Sequence, residues 1–237
     1  MILSRIFRHP IKAHGREELA SVLLSEGECL PFDRHWAVAH EAARLTDGWN
    51  RCANFSRGAK APALMAMTCT LDEASRSVTL RHPDRPDLTF RPDEDPAEFI
   101  DWVRPLMPED RAQSARIVSA GRGMTDSEFP SVSILSLTSL ADLSAKMGTD
   151  LSIHRWRGNL WLDGVEPWAE LDMIGQEIAI GDAVLRIEER ITRCRATMAN
   201  PETGQIDADT LQGLFNHYGH RDFGVYATVI RGGRIAT

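Results

Sequence analysis

The chain has 237 residues, of which 43% are hydrophobic and 26% charged, ordinary values for one large globular domain or two small ones. Its net charge of −7 excludes a global basic field of the kind that draws nucleic acid, so any anion site must be local. No apolar run approaches the roughly 18–20 residues that span a bilayer, and the first ten residues lack the apolar stretch of a signal peptide, so a cytoplasmic chain with no membrane partner is expected.

Two extended segments come first, over 18–24 and 34–40. In the second, Trp36 and Val38 share one face and His35, Ala37 and Ala39 the other, the alternation of a strand with one buried face. A hairpin is expected over 77–90, with Val78 and Leu80 before the turn Pro83-Asp84-Arg85-Pro86-Asp87 and Leu88 and Phe90 after it. Residues 91–108 are rich in proline and acid, yet Phe99, Ile100, Trp102 and Val103 form a compact apolar group. That predicts a short helix with Asp95 as N-cap and Pro96 at the first helical position. Residues 109–128 are polar, with Gly121 and Gly123, and read as a linker between an N-terminal region, 1–108, and a second domain, 129–237.

Beyond the linker, 132–137 is strand-like. Leu140, Leu143 and Met147 then space out a helix closed by Gly148. Leu160-Trp161-Leu162 is a strand, 167–174 a short helix, and 178–187 a tight hairpin about Gly181-Asp182. Leu211, Leu214, Phe215 and Tyr218 form a helical stripe ended by Gly219, and 225–230 closes the chain as a strand before Gly232-Gly233. Many short strands with few short helices imply a mainly β, barrel-like α+β body with peripheral helices.

The four cysteines, Cys29, Cys52, Cys69 and Cys194, form no C-x-x-C pair, which argues against zinc ribbons and iron–sulfur clusters and suits free thiols in a reducing compartment. Cys194 stands between Arg193 and Arg195. A lone cysteine is more often a small buried hydrophobe than a reactive group, but adjacent positive charge favours thiolate, the form that attacks and binds metal.

Five motifs occur in one order: HPIKAHGREEL near the start, DRHWAV at 33–38, RWRGNLWLDG at 155–164, RITRCRATMANPETG at 190–204 and FGVY at 223–226. In this order the chain resembles the MOSC superfamily. In particular it is similar to the two-part form, a smaller N-terminal β-barrel region followed by a β-barrel-like MOSC domain, as in the mitochondrial amidoxime-reducing component and its bacterial relatives. The resemblance is weakest over 41–130. It implies the molybdenum cofactor as the bound group and Cys194 as both catalytic residue and molybdenum ligand. A soft thiolate suits a metal already held by a dithiolene. It further implies that Lys12, Arg34, Arg157, Asn159, Thr192, Arg193 and Tyr226 bind the cofactor, with Ser131 as the nearest counterpart of a polar stretch that lines the site in relatives. Two positions depart from the relatives' pattern: Ala13 replaces a serine, and Ile191 stands where a second cysteine is common.

By resemblance, the activity is a molybdenum-dependent two-electron reduction of N-hydroxylated small molecules. The alternative is a non-catalytic carrier of cofactor, or of sulfur as a Cys194 persulfide. No strand–GxGxxG–helix motif for a dinucleotide is present, since Gly121-Arg122-Gly123 lacks the third glycine, and no four-cysteine cluster set occurs. A reductase would therefore need a separate ferredoxin- or flavin-type electron donor.

Overall fold

The computed structural model describes residues 1–94 and 96–237. Among the described residues it is mainly β with three short α-helices, and no helix there is long and apolar enough to cross a membrane. In chain order the strands are β1 (Ile2–Arg8), β2 (Glu17–Leu19), β3 (Ser21–Leu24), β4 (Trp36–His40), β5 (Thr68–Asp72), β6 (Ser77–His82) and β7 (Arg85–Phe90). Helix α1 (Pro96–Val103) and β8 (Ser114–Ser119) follow, then β9 (Val132–Ser136), α2 (Leu137–Met147), β10 (Leu160–Asp163), β11 (Glu177–Ile180) and β12 (Ala183–Thr192). The last elements are α3 (Thr210–Tyr218), β13 (Asp222–Arg231) and β14 (Gly233–Ala236).

The N-terminal part holds the meander β5-β6-β7 and the pair β4-β8. Trp36, Val38, Leu64, Leu80, Phe90 and Phe99 belong to one buried cluster there, and the Phe90 and Phe99 rings stack with centroids 5.0 Å apart. Strand β4 is covered on both faces rather than one: Trp36 and Val38 join that cluster, while Ala37 and Ala39 pack with Phe55 and Met124 in another. Its partner β8 lies within 109–128, so that segment is not wholly connecting chain. Helix α1 begins on Pro96 as expected, while Asp95 lies outside the described residues.

The main sheet runs β11-β12-β13-β9-β10-β1-β2. Within this sheet, among the described residues, only β9 and β10 pair in parallel, joined across α2. That helix is set by the Ser136 side chain accepting from the Ser139 amide and by Gly148 at φ 64°. Strands β1 and β2 complete this sheet at its edge, and β3 pairs with β14. The start of the chain is thus built into the sheet of the second half. The segment 18–24 breaks in two because β2 pairs with β1 and β3 with β14.

Three further readings change. The hairpin over 77–90 turns more tightly, with His82 paired to Arg85, so β7 begins inside the expected turn. The helix expected over 167–174 is only a 3-10 turn, Ala169–Asp172. Trp168 adopts φ 70°, outside helical space, where its amide donates to Ser139 Oγ and its indole to Asp142, both at 2.7 Å. On α3, Leu214 is buried, whereas Phe215 is 52% exposed and leaves the stripe.

Candidate functional site

Strand β12 brings the thiol to the end of the sheet. Its register against β13 slips between Arg190 and Thr192, and the chain then leaves the sheet. Thr192 is exposed and donates its hydroxyl to Asp222 at 2.6 Å. Arg193 is fastened next: its amide donates to the Arg221 carbonyl at 2.8 Å, and its guanidinium to the carbonyls of Trp156 (2.9 Å) and Phe223 (2.8 Å through Nε). The same guanidinium lies over the Trp156 and Phe223 rings, 5.6 and 5.8 Å from their centroids. Gly224 makes this possible. It sits at φ 78°, and a Cβ there would lie 2.6 Å from Leu135 Cγ and 2.8 Å from the Ile134 carbonyl. Cys194 follows as an exposed residue. Its carbonyl accepts from the amide and hydroxyl of Thr197 (3.2 and 3.1 Å), which closes the 3-10 turn Arg195–Met198. The turn is held by main-chain bonds, so the sulfur is left free.

Cys194 lines a cleft of about 480 Å³. Lys12, Arg34, Arg157, Thr192, Arg193 and Tyr226 line it too, so seven of the nine residues singled out in the sequence meet there. Three of the lining residues, Ala13, Arg34 and Arg157, have φ of 65°, 51° and 48°, a left-handed conformation uncommon for side-chain-bearing residues and concentrated at functional sites.

Electrostatics separates the cations. Lys12 Nζ donates to the Met124 carbonyl (2.6 Å) and to Asp126 (2.5 Å). Arg34 bonds the buried Asp33, and its other arm donates to the Arg157 carbonyl at 2.9 Å. Burial opposes the charge on Arg34, but Asp33 and Asp126 hold its pKa above the ordinary value. Asp33 also accepts from the His9 amide at 2.8 Å, so it orients both a side chain and a backbone amide. Arg155 is paired with Asp207 at 2.7 Å. Arg190 reaches toward Leu171 and Asp172. Arg155 Nε and Arg157 Nη2 are both buried without a hydrogen-bond partner, but Arg155 keeps its ion pair with Asp207, whereas Arg157 forms no ion pair among the described residues. Burial, then the neighbouring Arg34, bring its pKa down to about 9. Burial likewise brings Arg193 to about 10. Tyr226 is pushed above the ordinary phenol range by burial and then by Asp126, so it stays protonated.

Ser131 and Asn159 do not line the cleft. Ser131 is buried and accepts from Ser127 at 2.6 Å. Asn159 is consumed within the sheet: its Oδ1 accepts from the Ser133 amide and hydroxyl (3.1 and 2.8 Å) and its Nδ2 donates to the Phe7 carbonyl at 3.2 Å. Ser133, which Asn159 thereby holds, is the serine that does line the cleft. Asp126, Cys52, Arg57 and Met65 are lining residues that the sequence did not single out. The last three lie between β4 and β5, inside the stretch of weakest resemblance, and carry no local pattern.

Family comparison now bears on this arrangement. The MOSC N-terminal beta barrel domain matches residues 1–114, and the MOSC domain matches residues 125–237. The chain belongs to the MOSC family. The MOSC domain is associated in general with binding of the molybdenum cofactor. Among solved structures, the YUAD protein from Bacillus subtilis is similar at 12% identity over 99% of this chain and 90% of its own, with a TM-score of 0.46. YiiM from Geobacillus stearothermophilus is similar at 16% identity over 44% of this chain and 49% of its own, with a TM-score of 0.34. No curated protein matches the chain.

The residues of this MOSC cleft fit a cofactor that carries a phosphate and a soft metal. Arg157 supplies a desolvated guanidinium nitrogen with donor capacity unspent, and an anion beside it would relieve its burial. Cys194 supplies an exposed sulfur on the same cleft, the donor type a soft metal prefers.

Proposed function

We propose that this MOSC protein is an oxidoreductase that binds the molybdenum cofactor and reduces N-hydroxylated small molecules. One observation carries the reading: an exposed cysteine thiol and an arginine with unspent buried donors share a single cleft in an otherwise acidic chain. When bound, the cofactor would supply the two-electron redox chemistry.

The protein's part is to hold and to orient. Cys194 would ligate the metal, its turn fastened by Thr197 and by the carbonyl contacts of Arg193. Arg157 would take the cofactor's phosphate, and Lys12 and Arg34 would add positive potential from positions already fixed by Asp126 and Asp33. Thr192 and Tyr226 line the remaining wall, and the protonated phenol can donate a hydrogen bond. Asn159 serves by fixing Ser133. Domain limits of 1–108 and 129–237, with the main sheet sharing strands of both, suit a cleft walled by the two parts together. Electrons would arrive from a separate ferredoxin- or flavin-type protein.

The exposure of Cys194 also favours a second reading, a carrier that presents cofactor or a persulfide to another protein. The assay that separates the two uses purified, molybdenum-loaded protein with benzamidoxime and three electron sources. Turnover with reduced viologen and with an NADH-driven reductase system, but none with NADH alone, is expected of the reductase. No turnover with viologen would overturn the reductase reading in favour of the carrier.

A further inference from the structure

We infer that Arg57 forms an anion-recognition point on the stretch of cleft wall between β4 and β5, so that the substrate is an N-hydroxylated compound bearing a carboxylate or similar negative group. This rests on the reductase reading for the substrate's reducible part but not for the anion site itself. Arg57 lines the same cleft as Cys194. Its loop runs against the turn that follows the thiol: a Cβ on Gly58 would come 2.5 Å from Met65 Sδ and 3.4 Å from Ala196 Cβ. The Arg57 loop therefore meets the turn that follows the thiol from the N-terminal part of the chain, whereas Arg157 and Arg193 come from the C-terminal part.

The charge accounting singles it out. Most other cations of the cleft have a protein carboxylate or carbonyl, and Arg157 is assigned to the cofactor. Among the described residues the guanidinium of Arg57 has one side-chain partner, the sulfur of Cys52, reached at 3.3 Å. A thiol sulfur is a weak acceptor. A carboxylate accepts two parallel bonds from the planar fork and would displace that contact with a gain in strength. Arg57 is half-buried, so the exchange takes place where water screens less than at an open surface. A neutral amidoxime has no use for this residue.

The test measures binding without turnover. Benzamidoxime and 4-carboxybenzamidoxime are titrated by calorimetry into full-length, molybdenum-loaded protein with no electron donor, using wild type, Arg57→Ala and Arg57→Lys. Truncation should spare the fold, because the Arg57 carbonyl that accepts from Lys60 and Ala61, each at 3.0 Å, is retained. Wild type is expected to bind the carboxylated probe more tightly than the neutral one. The alanine variant should lose that preference by roughly tenfold or more, with lysine restoring part of it. Molybdenum content and affinity for the neutral probe should stay unchanged. Equal weakening of both probes, or no preference in wild type, would overturn the assignment. Loss of molybdenum in Arg57→Ala would overturn it as well, by placing Arg57 on the cofactor. Arg57-dependent binding in a protein that reduces neither probe would support the anion site while sinking the reductase reading.

Discussion

The two walls of the cleft are held in different ways. On the C-terminal side, Arg193 is tied to three backbone carbonyls and Cys194 sits on a turn closed by Thr197, so the thiol is fixed by the sheet behind it. On the N-terminal side, Cys52 and Arg57 touch each other, and their loop is seated by apolar contact of Gly58 with Met65. Positions set by main-chain bonds suit a permanent cofactor, while Arg57, whose one side-chain partner among the described residues is a weak sulfur acceptor, suits a ligand that comes and goes.

The largest effect should come from exchanging the fixed thiol. Cys194→Ser should abolish reductase activity with the fold intact, since a hydroxyl is a hard and poorly ionised replacement. Cys52→Ala, on the N-terminal side, should leave molybdenum content and benzamidoxime turnover in place, as should Cys29→Ala and Cys69→Ala. Circular dichroism and single-turnover assays check both halves, and equal losses in Cys194→Ser and Cys52→Ala would erase the distinction between the walls.

Next in size is the support behind the thiol. Gly224→Val puts a branched side chain at φ 78° and into Leu135 and the Ile134 carbonyl. It should cost about 2–4 kcal/mol of stability, read as a drop in Tm. Arg157→Ala should weaken cofactor affinity by about 1.5–3 kcal/mol, on the order of tenfold to a hundredfold, and lower occupancy more than turnover per bound molybdenum. Full occupancy in that variant would remove Arg157 from the cofactor.

The smallest effect concerns pH. His14, buried with its ring bonded to the Lys12 carbonyl, has its pKa lowered from 6.5 to about 4 by burial. The folded state keeps it neutral while the unfolded chain takes up a proton. Stability from this group is therefore complete above 6.5 and lost as the pH falls toward 4, at up to about 1.4 kcal/mol per pH unit. His154, on the C-terminal side, is lowered to about 4 as well, yet it is partly exposed. Thermal melts between pH 7 and 5 (roughly the span in which an ordinary histidine titrates) should flatten more in His14→Gln than in His154→Gln.

The same contrast explains what could be read in the sequence. The hairpin at Gly181-Asp182, the closing Gly148 of α2 and the strand β9 follow from local pattern, and the structure has them. The short helix over 167–174 failed because Trp168 obeys contacts with α2, which are distant in sequence. Lys12, Arg34, Arg157 and Cys194 stand in ordered motifs, so their meeting in one cleft could be anticipated. Cys52 and Arg57 could not, because their placement depends on a loop seated by Met65 and Ala196 rather than on any repeat, cap or spacing. Asn159 shows the converse, a motif residue that does not line the cleft and is hydrogen-bonded to Ser133, which does.

Metal analysis of full-length protein purified from a molybdenum-replete host, beside Cys194→Ser prepared identically, tests the central claim most directly. Near-stoichiometric molybdenum in wild type and its loss in the variant is the result expected. Metal-free wild type with cyanide-labile sulfur on Cys194, or equal molybdenum in the two proteins, would contradict it.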